Sequence, residues 1–174
     1  MRVLIDACVL VPMLTRELVM EAVRVAGVTP IWSPRILAEW RAAVSKLGPV
    51  EAAQNDTEIA LLRARYPRSE VEPDPDLITG LFLPDPDDLH VLASAITGSC
   101  DALLTFNTKD FPIRALGAHG ILRRHPDEFL LETARSNAGV FQNMISEAAR
   151  SSGRTERALL RSSHLPRLAK FMSA

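Results

Sequence analysis

The chain has 174 residues, 47% of them hydrophobic and 24% charged, with a formal net charge of −1. That length suits one domain, or one domain with a small appendage, and the composition is that of an ordinary soluble globular protein. No apolar run approaches the ~20 residues that span a bilayer, and no leader or lipidation motif precedes the first strand. A cytoplasmic protein without membrane contact is therefore expected.

Arg2–Ile5 is a short branched apolar run that reads as a buried central strand, closed by Asp6. Helical spacing of Leu10, Leu14, Leu18, Val19, Ala22 and Val25 predicts a helix from Ala7 to about Gly27. Thr29–Ser33 is a second strand. Ser33 followed by Pro34 places a cap and a first-turn proline at the start of a helix reaching about Leu47. Val50–Tyr66 is helical, and Glu70-Val-Glu72 suggests a short strand and turn. Pro84-Asp-Pro-Asp87 opens a further helix that ends near Gly98. Ala102–Phe106 is a strand, Phe111-Pro112 a turn and Gly120–Arg123 a last short strand. Beyond Pro126 only helix is expected: Asp127–Ser136, roughly Val140–Ser151, and Thr155–Met172 with breaks at Gly153 and Pro166. Strands alternating with helices imply right-handed crossovers and a mainly parallel sheet covered on both faces.

The charge is uneven. Residues 1–138 carry a net of −5, and residues 139–174 a net of +4 from Arg150, Arg154, Arg157, Arg161, Arg167 and Lys170 against Glu147 and Glu156. An acidic body beside a basic tail suits a metal-holding core next to a segment that meets something anionic, or simply a solvated helical face. Cys8 and Cys100 are isolated in apolar company and read as reduced thiols in preference to a disulfide.

Four acids stand in informative settings. In an open α/β sheet the carboxyl ends of the strands and the adjoining helix starts converge on one crevice. Carboxylates gathered there repel one another unless a hard divalent cation holds them, which points to magnesium or manganese and to phosphoryl chemistry. Asp6 follows the first strand, where it is either a ligand or a helix cap. Glu39 lies among Ile36, Leu37 and Trp40, which turn its stretch of helix inward; a glutamate there is either a solvated surface residue or a partnered one. In Asp85-Pro-Asp-Asp-Leu-His-Val-Leu-Ala-Ser-Ala95, Asp88 precedes the apolar face by one turn and is the ligand candidate, with Asp85 auxiliary on the same helix face. His90 reads as a structural or exposed histidine ahead of a hydrogen-bonding partner of the site. Thr105, Asn107 and Asp110 follow the Ala102–Phe106 strand. Turn formation explains Asn107 and Asp110 as well, but Thr105 is placed to bond a metal-bound carboxylate, and Asn107 or Asp110 to complete the cluster.

Asp6-Ala-Cys-Val-Leu10, Ile36-Leu-Ala-Glu-Trp40, the Asp85–Ala95 segment and Leu104-Thr-Phe-Asn-Thr-Lys-Asp-Phe-Pro112 resemble, in order and spacing, the motifs of the PIN domain, and within it the branch of the VapC toxins. The resemblance covers roughly residues 1–130 and leaves 131–174 as a helical C-terminal extension. It implies a three-layer α/β fold with four or five mainly parallel strands. It further implies a Mg2+- or Mn2+-dependent endoribonuclease, with Asp6, Glu39, Asp88 and Asp110 as catalytic metal ligands and Asp85, Thr105 and Asn107 auxiliary. The family's fourth acid falls on Asn107 in some members and Asp110 in others. RNA substrate, a small antitoxin and a homodimer are the implied partners, and Arg35 and Arg41 the candidate RNA contacts. The alternative is a catalytically silent PIN-fold module that binds RNA or protein. A haloacid-dehalogenase-like phosphatase would want an aspartate where Cys8 stands. A response-regulator receiver would want paired acids after the first strand and a lysine after the last, and neither pattern is present.

Overall fold

A computed structural model describes residues 1–173. Four strands, β1 (Arg2–Ile5), β2 (Thr29–Ile31), β3 (Ala102–Leu104) and β4 (Leu122–Arg124), form one parallel sheet in the order β2-β1-β3-β4. β1 is central, pairing Leu4 with Ile31 on one side and Ile5 with Leu104 on the other. Val3, Leu4, Ile5, Ala102, Leu103 and Leu104 are all buried, as strands covered on both faces require. The expected α/β architecture with C-terminal helices is present, with four strands at the lower end of the expected number.

By internal contacts the chain divides into two compact units. One joins Met1–Val11 to Thr29–Arg123, and the other joins Pro12–Val28 to the residues from Arg124 onward. In the first unit, helices α1 (Ala7–Leu10), α3 (Pro34–Ser45), α4 (Pro49–Arg65), α5 (Pro75–Ile78), α6 (Leu89–Thr97) and α7 (Ile113–Gly117) accompany the sheet. Ser33 caps α3 as expected: its hydroxyl accepts the Ile36 N–H at 3.3 Å, and Pro34 occupies the first turn. Ile36, Leu37 and Trp40 bury the inner face of α3.

The second unit contains α2 (Met13–Val25), α8 (Pro126–Ser152), α9 (Glu156–Ser162) and α10 (Pro166–Met172). α2 and α10 pack on α8, with Leu18, Val19, Phe141, Ile145, Leu160, Leu165 and Leu168 buried. Asp127, itself buried, accepts the backbone N–H groups of Arg167 at 2.8 Å and Leu168 at 2.9 Å and so caps α10.

Several elements differ from expectation. The helix expected over Ala7–Gly27 is two helices, because Pro12 has no N–H to continue the first. Glu70 contributes a single bridge to Trp32 where a short strand is expected. The short helices α5 and α7 carry too few residues to show a period in sequence. The gap expected between 136 and 140 is a kink at Asn137 (φ −137°, ψ 31°) inside one helix, whereas Gly153 ends α8 in the left-handed region (φ 65°) as expected.

Candidate metal centre

The carboxyl ends of β1 and β3 set the geometry. Ile5 and Leu104 are register partners, and the Asp6 N–H donates to the Leu104 carbonyl at 3.1 Å, so Asp6 and Thr105 leave the sheet side by side. Asp6 stands at the N-cap position of α1, yet its side chain makes no capping bond. Its Oδ2 instead accepts the buried Thr105 hydroxyl at 2.6 Å and the Cys8 thiol at 3.1 Å. The helix-cap reading of Asp6 is thereby set aside in favour of a partnered buried carboxylate.

Past β3 the chain turns on Asn107. The Asn107 N–H donates to Thr105 Oγ1 at 2.9 Å, its side-chain amide donates to Asp88 Oδ2 at 3.2 Å, and its Oδ1 accepts the Asp110 N–H at 3.3 Å. One asparagine therefore ties the two segments that carry Asp88 and Asp110. Arg123 on β4 braces the same turn by donating to the carbonyls of Thr108 at 2.7 Å and Phe111 at 3.0 Å. Nothing in the local sequence around Arg123 announces that role.

Asp88 ends a 3-10 turn (Pro86–Asp88) and leads into α6, again without a capping bond from its side chain. Asp85 does cap: its Oδ1 accepts the Asp87 N–H at 2.9 Å. Carboxylate oxygens of Asp85, Asp88 and Asp110 lie within 4.8 Å of one another, each residue half-buried. Asp85, expected as an auxiliary, thus belongs to the most compact part of the cluster. Among the described residues no lysine or arginine pairs with these three acids. Burial, followed by the charges of Asp6, Asp85 and Asp110, pushes the Asp88 carboxyl up to about 6. Three oxygen donors crowded together with no lysine or arginine paired to them, and only the attraction of His90 opposing the repulsion at Asp88, are the donor set that a hard divalent cation takes.

Glu39 lies outside this triad. Its Oε1 is 2.9 Å from His90 Nε2 and 3.2 Å from Arg35 Nε, and Arg35 also donates to the Asp87 carbonyl at 3.2 Å. Burial alone would raise the Glu39 carboxyl, but the hydrogen bond and attraction of His90, then of Arg35, hold it below the ordinary carboxylate range. Arg41 is turned to α4, where it makes a two-pronged pair with Asp56. Cys8 is the residue that sequence reasoning missed. Its thiol touches Asp6 Oδ2 and lies 3.5 Å from Thr105 Oγ1, and burial and then the Asp6 charge push it up to about 12. The two-residue step from Asp6 to Cys8 was the available signal. Both cysteines are free, as expected.

The sequence profile of the PIN domain matches residues 2–109. The chain belongs to the PIN-domain family. All the residues of the cluster except Asp110 fall inside the matched span. A 45-residue segment is 44% identical to "Putative ribonuclease VapC50" of Mycobacterium tuberculosis, covering 26% of this PIN-domain chain and 27% of that protein. No solved structure gives a significant match. No helix among the described residues is long and apolar enough to cross a membrane.

Proposed function

We propose that the protein is a divalent-metal-dependent endoribonuclease, acting as the toxin of a VapBC-type toxin–antitoxin pair. The observation that carries this reading is the convergence of Asp85, Asp88 and Asp110, with Asp6 near enough to raise Asp88, at the strand ends of a PIN domain. The partial likeness to a protein named as a VapC ribonuclease supports the substrate class.

Asp6, Glu39, Asp88 and Asp110 would hold Mg2+ or Mn2+, with Asp85 beside them. A cation bound there would acidify a coordinated water and neutralise charge on the scissile phosphate. The chain's own work is to fix the acids beforehand. Thr105 and Cys8 hold Asp6, Asn107 couples the Asp88 and Asp110 segments, and His90 with Arg35 holds Glu39. Exposed Arg35 is the proposed RNA-backbone contact nearest the acids. Arg41 can take a phosphate only by leaving Asp56. A small antitoxin, a second copy of the chain, a cytoplasmic location and the division into a 1–130 nuclease domain and a 131–174 extension complete the proposal.

The test is incubation of purified wild type and Asp88→Asn with structured RNA, in Mn2+ or Mg2+ and in EDTA. Cleavage by metal-loaded wild type alone, leaving 5′-phosphate and 3′-hydroxyl ends, is the expected result. Products ending in 2′,3′-cyclic phosphate would overturn the mechanism, because they require attack by the ribose hydroxyl. A folded wild type that binds metal but cuts no RNA would favour the silent binding module.

A further inference from the structure

We infer that His90 is a positioning residue for Glu39: it fastens one carboxylate oxygen so that the other stays open to the metal. The inference rests on the nuclease reading above and adds a residue to it.

His90 is the second residue of α6, two positions after Asp88, and only 3% of it is exposed. Its Nε2 lies 2.9 Å from Glu39 Oε1, and since a carboxylate only accepts, Nε2 carries the hydrogen. Nδ1 is buried and makes no hydrogen bond. The ring therefore makes a single hydrogen bond, to Glu39, besides its weaker attraction for the Asp88 carboxyl. A buried polar side chain kept with one of its two ring nitrogens unsatisfied is costly for mere packing, where leucine or phenylalanine would fill the space without that penalty.

The second observation concerns which oxygen is used. Arg35 Nε also bonds Oε1, at 3.2 Å, so both donors converge on the same atom. No hydrogen bond reaches Oε2 among the described residues. Glu39 is thus held asymmetrically, with one oxygen occupied twice and the other free to ligate a cation. Of the two donors, Arg35 is 54% exposed and sits on a flexible stem, where an ion pair contributes little and is screened by salt. His90 is the more constrained donor, because its ring is enclosed with only 3% of the residue exposed. Donors that orient a ligating carboxylate commonly govern metal affinity 10–100-fold on removal. The placement also links Glu39 to the helix start that carries Asp88, so two proposed ligands from separate elements share one rigid reference.

The experiment is a Mn2+ titration, followed by the electron paramagnetic resonance signal of the free ion, on wild type, His90→Leu, His90→Gln, Glu39→Gln and the Glu39→Gln/His90→Leu double variant. Thermal melts of each check folding, and kcat and KM for RNA are measured alongside. Glutamine keeps an N–H donor at a reach similar to Nε2, and leucine keeps only volume. His90→Leu is expected to bind Mn2+ about 10–100-fold more weakly. It should also lower kcat with KM for RNA little changed, while His90→Gln restores most of both. In the Glu39→Gln background the leucine substitution should cost nothing further, since its route of action is already gone. Unchanged Mn2+ affinity in His90→Leu overturns the inference. So does equal loss in the leucine and glutamine variants, or full additivity in the double variant. In all of these cases the wild type still binds Mn2+ and cuts RNA, so the nuclease reading survives. A wild type that binds no Mn2+ overturns both.

Discussion

Thr105 Oγ1 lies 2.6 Å from Asp6 Oδ2, although 99 positions separate the two residues. The contact follows from sheet register: Ile5 and Leu104 are paired across β1 and β3, so the next residue on each strand emerges beside the other. The bond is buried and has a carboxylate as acceptor, the setting in which a hydrogen bond contributes about 1.5–3 kcal/mol. Thr105→Val keeps the shape and deletes the donor. It should lower the unfolding free energy by about that amount in urea titrations and reduce RNA cleavage, while Thr105→Ser recovers both. Equal stability of the valine and serine variants would show that the hydroxyl does no structural work.

Asp88 gives a stability–function opposition. Its carboxyl is raised from 3.8 to about 6 by burial and then by the neighbouring acids. Below about pH 3.8 the folded and unfolded chains both hold the proton, and between 3.8 and 6 only the folded chain keeps it. Metal-free protein therefore loses stability at this site as pH rises through that window, and the loss is complete above about 6. In EDTA, Asp88→Asn should melt at or above the wild-type temperature at pH 7.5 and lose that advantage by pH 4, while cleaving nothing. Differential scanning fluorimetry across pH decides it.

The same proton competes with the cation. Mn2+ affinity measured at a series of pH values should fall below pH 6 by about tenfold per unit, the slope for one displaced proton, and flatten above it. An affinity independent of pH between 5 and 7 would mean that Asp88 is not a ligand.

Burial pushes the thiols of Cys8 and Cys100 up to about 12 in each case. Reaction requires the thiolate, so neither should be modified by iodoacetamide in the folded protein at pH 8. Both should react once urea unfolds the chain, and mass spectrometry of the two samples reads the difference. Labelling of folded Cys8 would show that its thiol ionises more readily than its burial and its contact with Asp6 allow.

What the sequence revealed was whatever lies in short-range pattern. Ser33 before Pro34 marked the start of α3, Arg2–Ile5 marked a buried strand, and Asp6 at its end marked the crevice, because each signal is contained in a few adjacent residues. Side-chain direction across elements was not readable. Glu39 on α3 meets His90 on α6 although 51 positions separate them, and no spacing within either helix encodes that contact. Asp85 joined the tight triad for a similar reason, since the turn around Asn107 that brings Asp110 to it depends on Arg123 from another strand. Pro12 was visible in the sequence, but the apolar period running past it outweighed the missing donor.

Asp127 ties the last helix into its own unit. A chain shortened to end at Leu165 would lack the backbone groups of Arg167 and Leu168, and water would have to replace them at a carboxylate that is only 3% exposed in the intact chain. Trimming the protein there would remove two hydrogen bonds to a carboxylate along with the apolar contacts of the missing helix. The cut would turn a capping carboxylate at the start of α8 into a solvated one and uncover apolar surface of the helix that carries the packing of its unit.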